Sequence, residues 1–129
     1  MAILKSHHIA IYTPDLKRLV AFYTDVLGFP TAGTLGDSIT FVDIGGTRLE
    51  IIEKPEVTEP QEQGRMGMQH IAFEVDDVQK TYEEFKAKGV EFHIPAREAR
   101  PGLHVAFFRD PDGNILEFFR ATPEAMGLA

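Results

Sequence analysis

His8-Ile9-Ala10-Ile11 returns as His70-Ile71-Ala72-Phe73, and Asp43-x-x-Gly46-x-x-Leu49-Glu50-Ile51-Ile52 returns as Asp110-x-x-Gly113-x-x-Leu116-Glu117-Phe118-Phe119. The first offset is 62 residues and the second 67. The chain is therefore two copies of one module, each opening with a histidine and closing with a glutamate. Outward from His8, the run Ser6 to Tyr12 is apolar and ends at Thr13-Pro14-Asp15. There Thr13 is expected to cap a helix and Pro14 to occupy its first turn. Leu16, Leu19, Val20, Phe22, Tyr23, Val26 and Leu27 follow at helical spacing, and Gly28 ends the run. Strands are expected over 30–35, 38–43 and 47–53, with tight turns at Gly36-Asp37 and Gly45-Gly46.

The second copy repeats this order. A strand is expected over 68–75, with Asp76 as helix cap. Val78, Tyr82, Phe85 and Ala87 then fall at helical spacing before Gly89. Strands follow near 90–94, 104–108 and 114–120, with Pro111-Asp112-Gly113 as the last turn. Pro95 to Gly102, containing Arg97 and Arg100, reads as a long loop. The polar stretch 54–67 reads as a linker and 121–129 as a tail. The expected class is α+β: two tandem βαβββ modules, about 5–53 and 68–120, forming a cupped mixed sheet within a single domain over 1–129. A module of about 50 residues is marginal alone, and pairing two lets each bury what the other exposes.

Bulk properties narrow the partners. The chain has 129 residues, enough for one domain with a substantial core. Net charge is −7 with no basic run, which argues against nucleic acid and acidic membranes. There is no cysteine, so thiolate metal sites, cysteine nucleophiles and disulfides are excluded. No apolar stretch approaches the ~20 residues of a spanning helix. The start, Met1-Ala2-Ile3-Leu4-Lys5, leaves no room for a signal peptide, so a cytoplasmic location is expected.

The repeated His and Glu are the candidate site. Side chains alternate along a strand, so His8, Ala10 and Tyr12 share one face, as do Arg48, Glu50 and Ile52. The same holds for His70, Ala72 and Glu74, and for Ile115, Glu117 and Phe119. Each glutamate sits inside an otherwise apolar strand, where a carboxylate is costly unless paired or metal-bound. Alanine two places after each histidine leaves space beside the imidazole. His8, Glu50, His70 and Glu117 would together balance one divalent cation, and this mixed set suits Zn, Ni, Co, Mn or Fe. His7 is expected on the opposite face from His8. His93 and His104 lack counterparts in the first copy and read as structural or substrate-lining residues.

These residues resemble the vicinal-oxygen-chelate superfamily, which includes glyoxalase I, methylmalonyl-CoA epimerase, fosfomycin-resistance enzymes, bleomycin-binding proteins and extradiol dioxygenases. The matching stretches are His8-Ile-Ala-Ile with Asp15-Leu16, Ala21-Phe22-Tyr23-x-x-x-Leu27-Gly28-Phe29, His70-Ile-Ala-Phe-x-Val-Asp76-Asp77 and Phe107-x-x-Asp110-Pro-Asp-Gly113-x-x-x-Glu117. They span residues 6 to 120. The resemblance implies paired βαβββ modules around one metal, often completed by dimerisation, and a homodimer is expected. By ligand set the match is to glyoxalase I, whose His, Glu, His, Glu pattern falls on His8, Glu50, His70 and Glu117. The epimerase typically has an amide in place of Glu50. Two departures point away from glutathione: Tyr12 stands where bacterial glyoxalase I usually has arginine, and the stretch from Gly28 to Glu50 is shorter. The implied activity is a glyoxalase-like lyase or isomerase acting through an enediolate on a small substrate with adjacent oxygens. Glu50 and Glu117 are its expected proton-transfer groups, and Arg48, Arg97 or Arg100 are candidate anchors for an anionic substrate end. The alternatives are a small Fe(II) dioxygenase and a non-catalytic small-molecule binder of the same fold.

Overall fold

A computed structural model describes residues 2–60 and 64–128. Residues 61–63, within the stretch read as a linker, and residue 129 of the tail lie outside the described residues. The chain divides into two compact units between Glu59 and Pro60. Each is a four-stranded mixed sheet with helical structure on one face, so the α+β class and the tandem βαβββ order hold.

In the first unit the strands are β1 (His8–Thr13), β2 (Thr31–Leu35), β3 (Ile39–Asp43) and β4 (Arg48–Glu53), in the spatial order β1-β4-β3-β2. β1 runs parallel to β4 and the other pairs are antiparallel. Helix α1 (Leu16–Ala21) passes into a π-helical turn over Phe22–Val26. The widened turn shows in the bond from Leu27 N–H to the Phe22 carbonyl, while Thr24 Oγ1 donates back to Val20. Gly28 then ends the helix at φ +84°, a backbone state that glycine adopts without penalty. The N-cap is Asp15 rather than Thr13. Asp15 accepts from Arg18 N–H at 3.1 Å, while Thr13 Oγ1 bonds within the preceding turn to the Asp15 backbone. Thr13 is still the last residue of β1, two residues too early to cap.

The second unit repeats the plan with β5 (Ile71–Glu74), α2 (Val78–Ala87), β6 (Phe92–Arg100), β7 (Leu103–Arg109) and β8 (Ile115–Ala121), ordered β5-β8-β7-β6. Its cap is Asp77, not Asp76, accepting from Lys80 N–H at 3.0 Å. Asp15 and Asp77 are 62 residues apart, the same offset as His8 and His70. Pro95 to Gly102 is not a loop as expected: β6 continues to Arg100. Proline is tolerated there because β6 is an edge strand whose pairing with β7 is interrupted by irregularities around it. The tail is also ordered beyond β8, turning back through bonds from Met126 and Leu128 N–H to Thr122 and Pro123.

Burial explains which sheet face is free for chemistry. Leu19, Tyr23, Val42, Leu49 and Ile51 are completely buried in the first unit. In the second, Phe85 of α2 packs on Phe118 and Tyr82 packs on Phe92, with Phe108 against Phe118. Each such side chain stabilises the fold by about 1.5–3 kcal/mol. They occupy alternate strand positions beneath the helix. Alternation therefore puts Glu50 and Glu117, the neighbours of Leu49 and Leu116, on the opposite face of each sheet.

Candidate metal centre

The registers place each glutamate between two fixed neighbours. In the first unit Glu50 lies opposite Ala10 on one side and Phe41 on the other. In the second, Glu117 lies between Ala72 and Phe107. Both histidines close on their own glutamate: His8 Nε2 is 3.4 Å from Glu50 Oε1, and His70 Nε2 is 2.8 Å from Glu117 Oε1. The imidazoles also meet the phenylalanines edge-on, His8 with Phe41 at 5.7 Å and His70 with Phe107 at 5.4 Å between ring centroids. What repeats is thus a His-Glu-Phe set, with alanine providing the room beside it. Within each module two of the expected ligands come together. Among the described residues, no group of three or more His, Asp or Glu side chains is gathered tightly enough to hold an ion.

The phenylalanines escaped the sequence repeat for a specific reason. Phe41 lies two residues before Asp43, whereas Phe107 lies three before Asp110. The β7–β8 turn is one residue longer than the β3–β4 turn, so the ladder closes Asp43 on Arg48 but Arg109 on Ile115. Asp110 instead enters the turn, buried, accepting from the N–H groups of Asp112 and Asn114 and from Asn114 Nδ2. Asp43 holds its own turn through Gly45 N–H. Gly46 and Gly113 complete these turns at φ +100° and +91°. The Asp-x-x-Gly motif is therefore turn architecture that sets the register of the following glutamate.

The second imidazole nitrogen is engaged in both modules. His8 Nδ1 lies 2.9 Å from His7 Nδ1, and His70 Nδ1 bonds Gln69 Oε1. His7 was expected on the far face. It precedes β1, whose first residue is His8, so strand alternation does not govern its side chain. The residue before each histidine thereby orients the ring so that Nε2 faces the carboxylate, the arrangement that prepares a histidine as a ligand. Of the expected anchors, Arg48 pairs across from His8 and donates to the His7 carbonyl at 3.4 Å. Tyr12 is 56% exposed with the Lys54 ammonium over its ring, so it is not core. His104 lies 3.5 Å from Glu98 on an exposed hairpin.

Glu117 is the electrostatically distinctive residue. Its side chain is only 8% exposed, and burial pushes the carboxyl above its ordinary value of 4.5, against the opposing pull of His70. The protonated form is the one the fold favours. Its contribution to stability is therefore complete below the ordinary value and is lost as pH rises through the raised one. Glu117→Gln keeps an oxygen for His70 and removes the charge. Chelator-treated variant is expected to melt a few degrees higher than the parent at pH 7, with the difference closing near pH ~4. Thermal melts across that range check this, and a variant less stable than the parent at pH 7 would overturn the burial argument.

Comparison with known proteins agrees with this fold. The family model described as Glyoxalase/Bleomycin resistance protein/Dioxygenase superfamily matches residues 5–118. Over 131 residues the chain is 30% identical to the probable lactoylglutathione lyase of Vibrio parahaemolyticus, covering 94% of each. Over 124 residues it is 31% identical to the mitochondrial methylmalonyl-CoA epimerase of Homo sapiens, covering 85% of this chain and 69% of that one. The glyoxalase family protein from Enterococcus faecalis superposes with a TM-score of 0.78 at 25% identity, covering 93% of this chain and 100% of that one. A duplicated βαβββ module with a His-Glu pair on the helix-free face of each sheet, matched over nearly its whole length, makes this chain a member of the glyoxalase/bleomycin resistance protein/dioxygenase superfamily.

Proposed function

We propose that the protein is a divalent-metal-dependent, glyoxalase-like lyase or isomerase acting on a small substrate with adjacent oxygens. The observation that carries this reading is the duplicated pair, His8 with Glu50 and His70 with Glu117, each on the helix-free face of its sheet. Two imidazole nitrogens and two carboxylates supply charge balance for one divalent ion, and the absence of cysteine leaves an N/O set suited to Zn, Ni, Co, Mn or Fe. In this reading His8, Glu50, His70 and Glu117 are the ligands of that ion. When bound, it supplies Lewis-acid stabilisation of the charge that develops beside a substrate carbonyl.

The chain's own residues do the rest. His8 and His70 are held in orientation by His7 and Gln69. Ala10 and Ala72 leave space for a ligand over the sheet, and Phe41 and Phe107 each set an apolar ring beside the histidine of their own module. An isomerisation takes a proton from one carbon and returns one elsewhere, which a pair of carboxylates serves. Burial makes Glu117 the more basic carboxylate than an exposed glutamate would be. The curated relatives named above are a lyase and an epimerase, both consistent with proton transfer next to a carbonyl. A homodimer and a cytoplasmic location belong to the same reading. Among the described residues no helix is long and apolar enough to cross a membrane.

The test is elemental analysis of purified protein followed by a product screen on 2-hydroxy and 2-oxo carbonyl compounds, with the ion removed and restored. Turnover that needs the ion and consumes no oxygen is expected. Oxygen uptake during turnover would replace this reading with Fe(II) dioxygenation, and turnover untouched by chelation would remove it.

A further inference from the structure

The two modules differ at two places on the face that carries the His-Glu pair, and both differences give the second module a nitrogen side chain. β2 and β6 each have a register irregularity beside the phenylalanine: between Thr31 and Gly33 opposite Phe41, and between Phe92 and Ile94 opposite Phe107. The residue at that irregularity is Ala32 in the first module and His93 in the second. A bulge re-aims a side chain, and His93 turns onto the Phe107 ring at 6.1 Å between centroids. Phe107 in turn meets His70. The second difference comes from the longer β7–β8 turn. At the ladder place where the first module has Asp43, the second has Arg109, two residues beyond Phe107 and therefore on the same face.

His93 lies on the Phe107 ring and Arg109 follows Phe107 by two residues on the same face, both side chains exposed. Burial against its surroundings and then the Arg109 guanidinium hold the His93 imidazole below its ordinary value. Neither side chain has an ion-pair or hydrogen-bond partner among the described residues. A guanidinium beside an uncharged imidazole presents several N–H donors and a net positive charge, on a chain whose overall charge is −7. An anionic oxygen group satisfies both. The first module has Ala32 and Asp43 at these places, and its own guanidinium, Arg48, lies directly across from the Asp43 carboxylate.

We propose that His93 and Arg109 form a subsite for the anionic end of the substrate, a carboxylate or phosphate group, on the face of the second module that carries His70 and Glu117. The assignment of this face to substrate rests on the function proposed above; the anion subsite itself requires no metal. It makes the preferred substrate a small anionic compound with adjacent oxygens, entering with its charged end over β6 and β7. Arg109 rather than Arg48, Arg97 or Arg100 is then the anchoring arginine.

The experiment follows the histidine ring signals by NMR in metal-free, full-length protein. Malonate and, separately, inorganic phosphate are titrated at constant pH and ionic strength. The His93 signal is expected to shift along a saturating curve with at least one of the two, and whichever binds more tightly identifies the anion chemistry. The exposed His104 serves as an internal control and should shift little. Arg109→Gln should weaken the apparent affinity about tenfold, as expected for loss of a charge-assisted contact. Lys80→Gln, the same charge change on the helix side of the sheet, should leave it unaltered. Parallel, unsaturating shifts of His93 and His104 would overturn the proposal, as would unchanged affinity in Arg109→Gln. Because the protein is metal-free, failure here leaves the metal reading standing, and loss of the metal reading leaves this binding result intact.

Discussion

His70→Ala is expected to lower the affinity for a divalent ion by more than about 100-fold, since loss of a ligand should exceed the 10–100-fold effect typical of an outer partner. The geometry ties the two sizes together. His70 Nε2 lies 2.8 Å from Glu117, and its Nδ1 is occupied by Gln69. Gln69→Ala removes only the orienting contact, so it should weaken binding about tenfold and leave the ligand in place. His8→Ala should match His70→Ala because its pair is the repeat of the other, and His7→Ala should match Gln69→Ala. Titration of each apoprotein with Zn²⁺ or Ni²⁺ against a competing chelator measures the series. Unchanged affinity in His70→Ala would show that the two pairs do not serve one ion, and the glutamates would need another reason to lie inside apolar strands.

Glu50→Gln is expected to separate ion holding from proton transfer. The amide keeps the shape of the side chain and one oxygen, while losing charge and basicity. Glu50 is flanked by Ala10 and Phe41 on neighbouring strands and closed upon by His8 at 3.4 Å, so the substitution needs no repacking. The variant should retain part of its metal affinity and lose turnover by about 10²–10⁴-fold, the usual contribution of a positioned acid or base. Steady-state rates at full metal occupancy distinguish the two effects. Full activity at saturating ion would assign proton transfer to Glu117 alone. Loss of the ion together with the rate would make Glu50 a ligand and nothing more.

Much of the architecture follows from local chemistry in the chain. Apolar residues at helical spacing from Leu16 and from Val78, alternation in the strands, and glycine at left-handed turn positions are enough to order βαβββ twice. The matching places of His8 with His70 and of Glu50 with Glu117 are legible in the repeat itself, whereas the closing of each histidine on the glutamate of its own module follows from the β1–β4 and β5–β8 registers. Wherever the outcome depended on register or on a strand's end, the sequence alone misled. Thr13 lies too early to cap, His7 stands outside the strand whose alternation would have turned it away, and Pro95 sits in an edge strand that tolerates it. A single extra residue in the β7–β8 turn hid the equivalence of Phe41 and Phe107 and carried Arg109 to the place held by Asp43. Periodicity is a property of neighbours along the chain and can be read there. Register is set by which residues meet across strands, so the orientation of the histidines, the basicity of Glu117 and the meeting of His93 with Phe107 exist only once the sheets have formed.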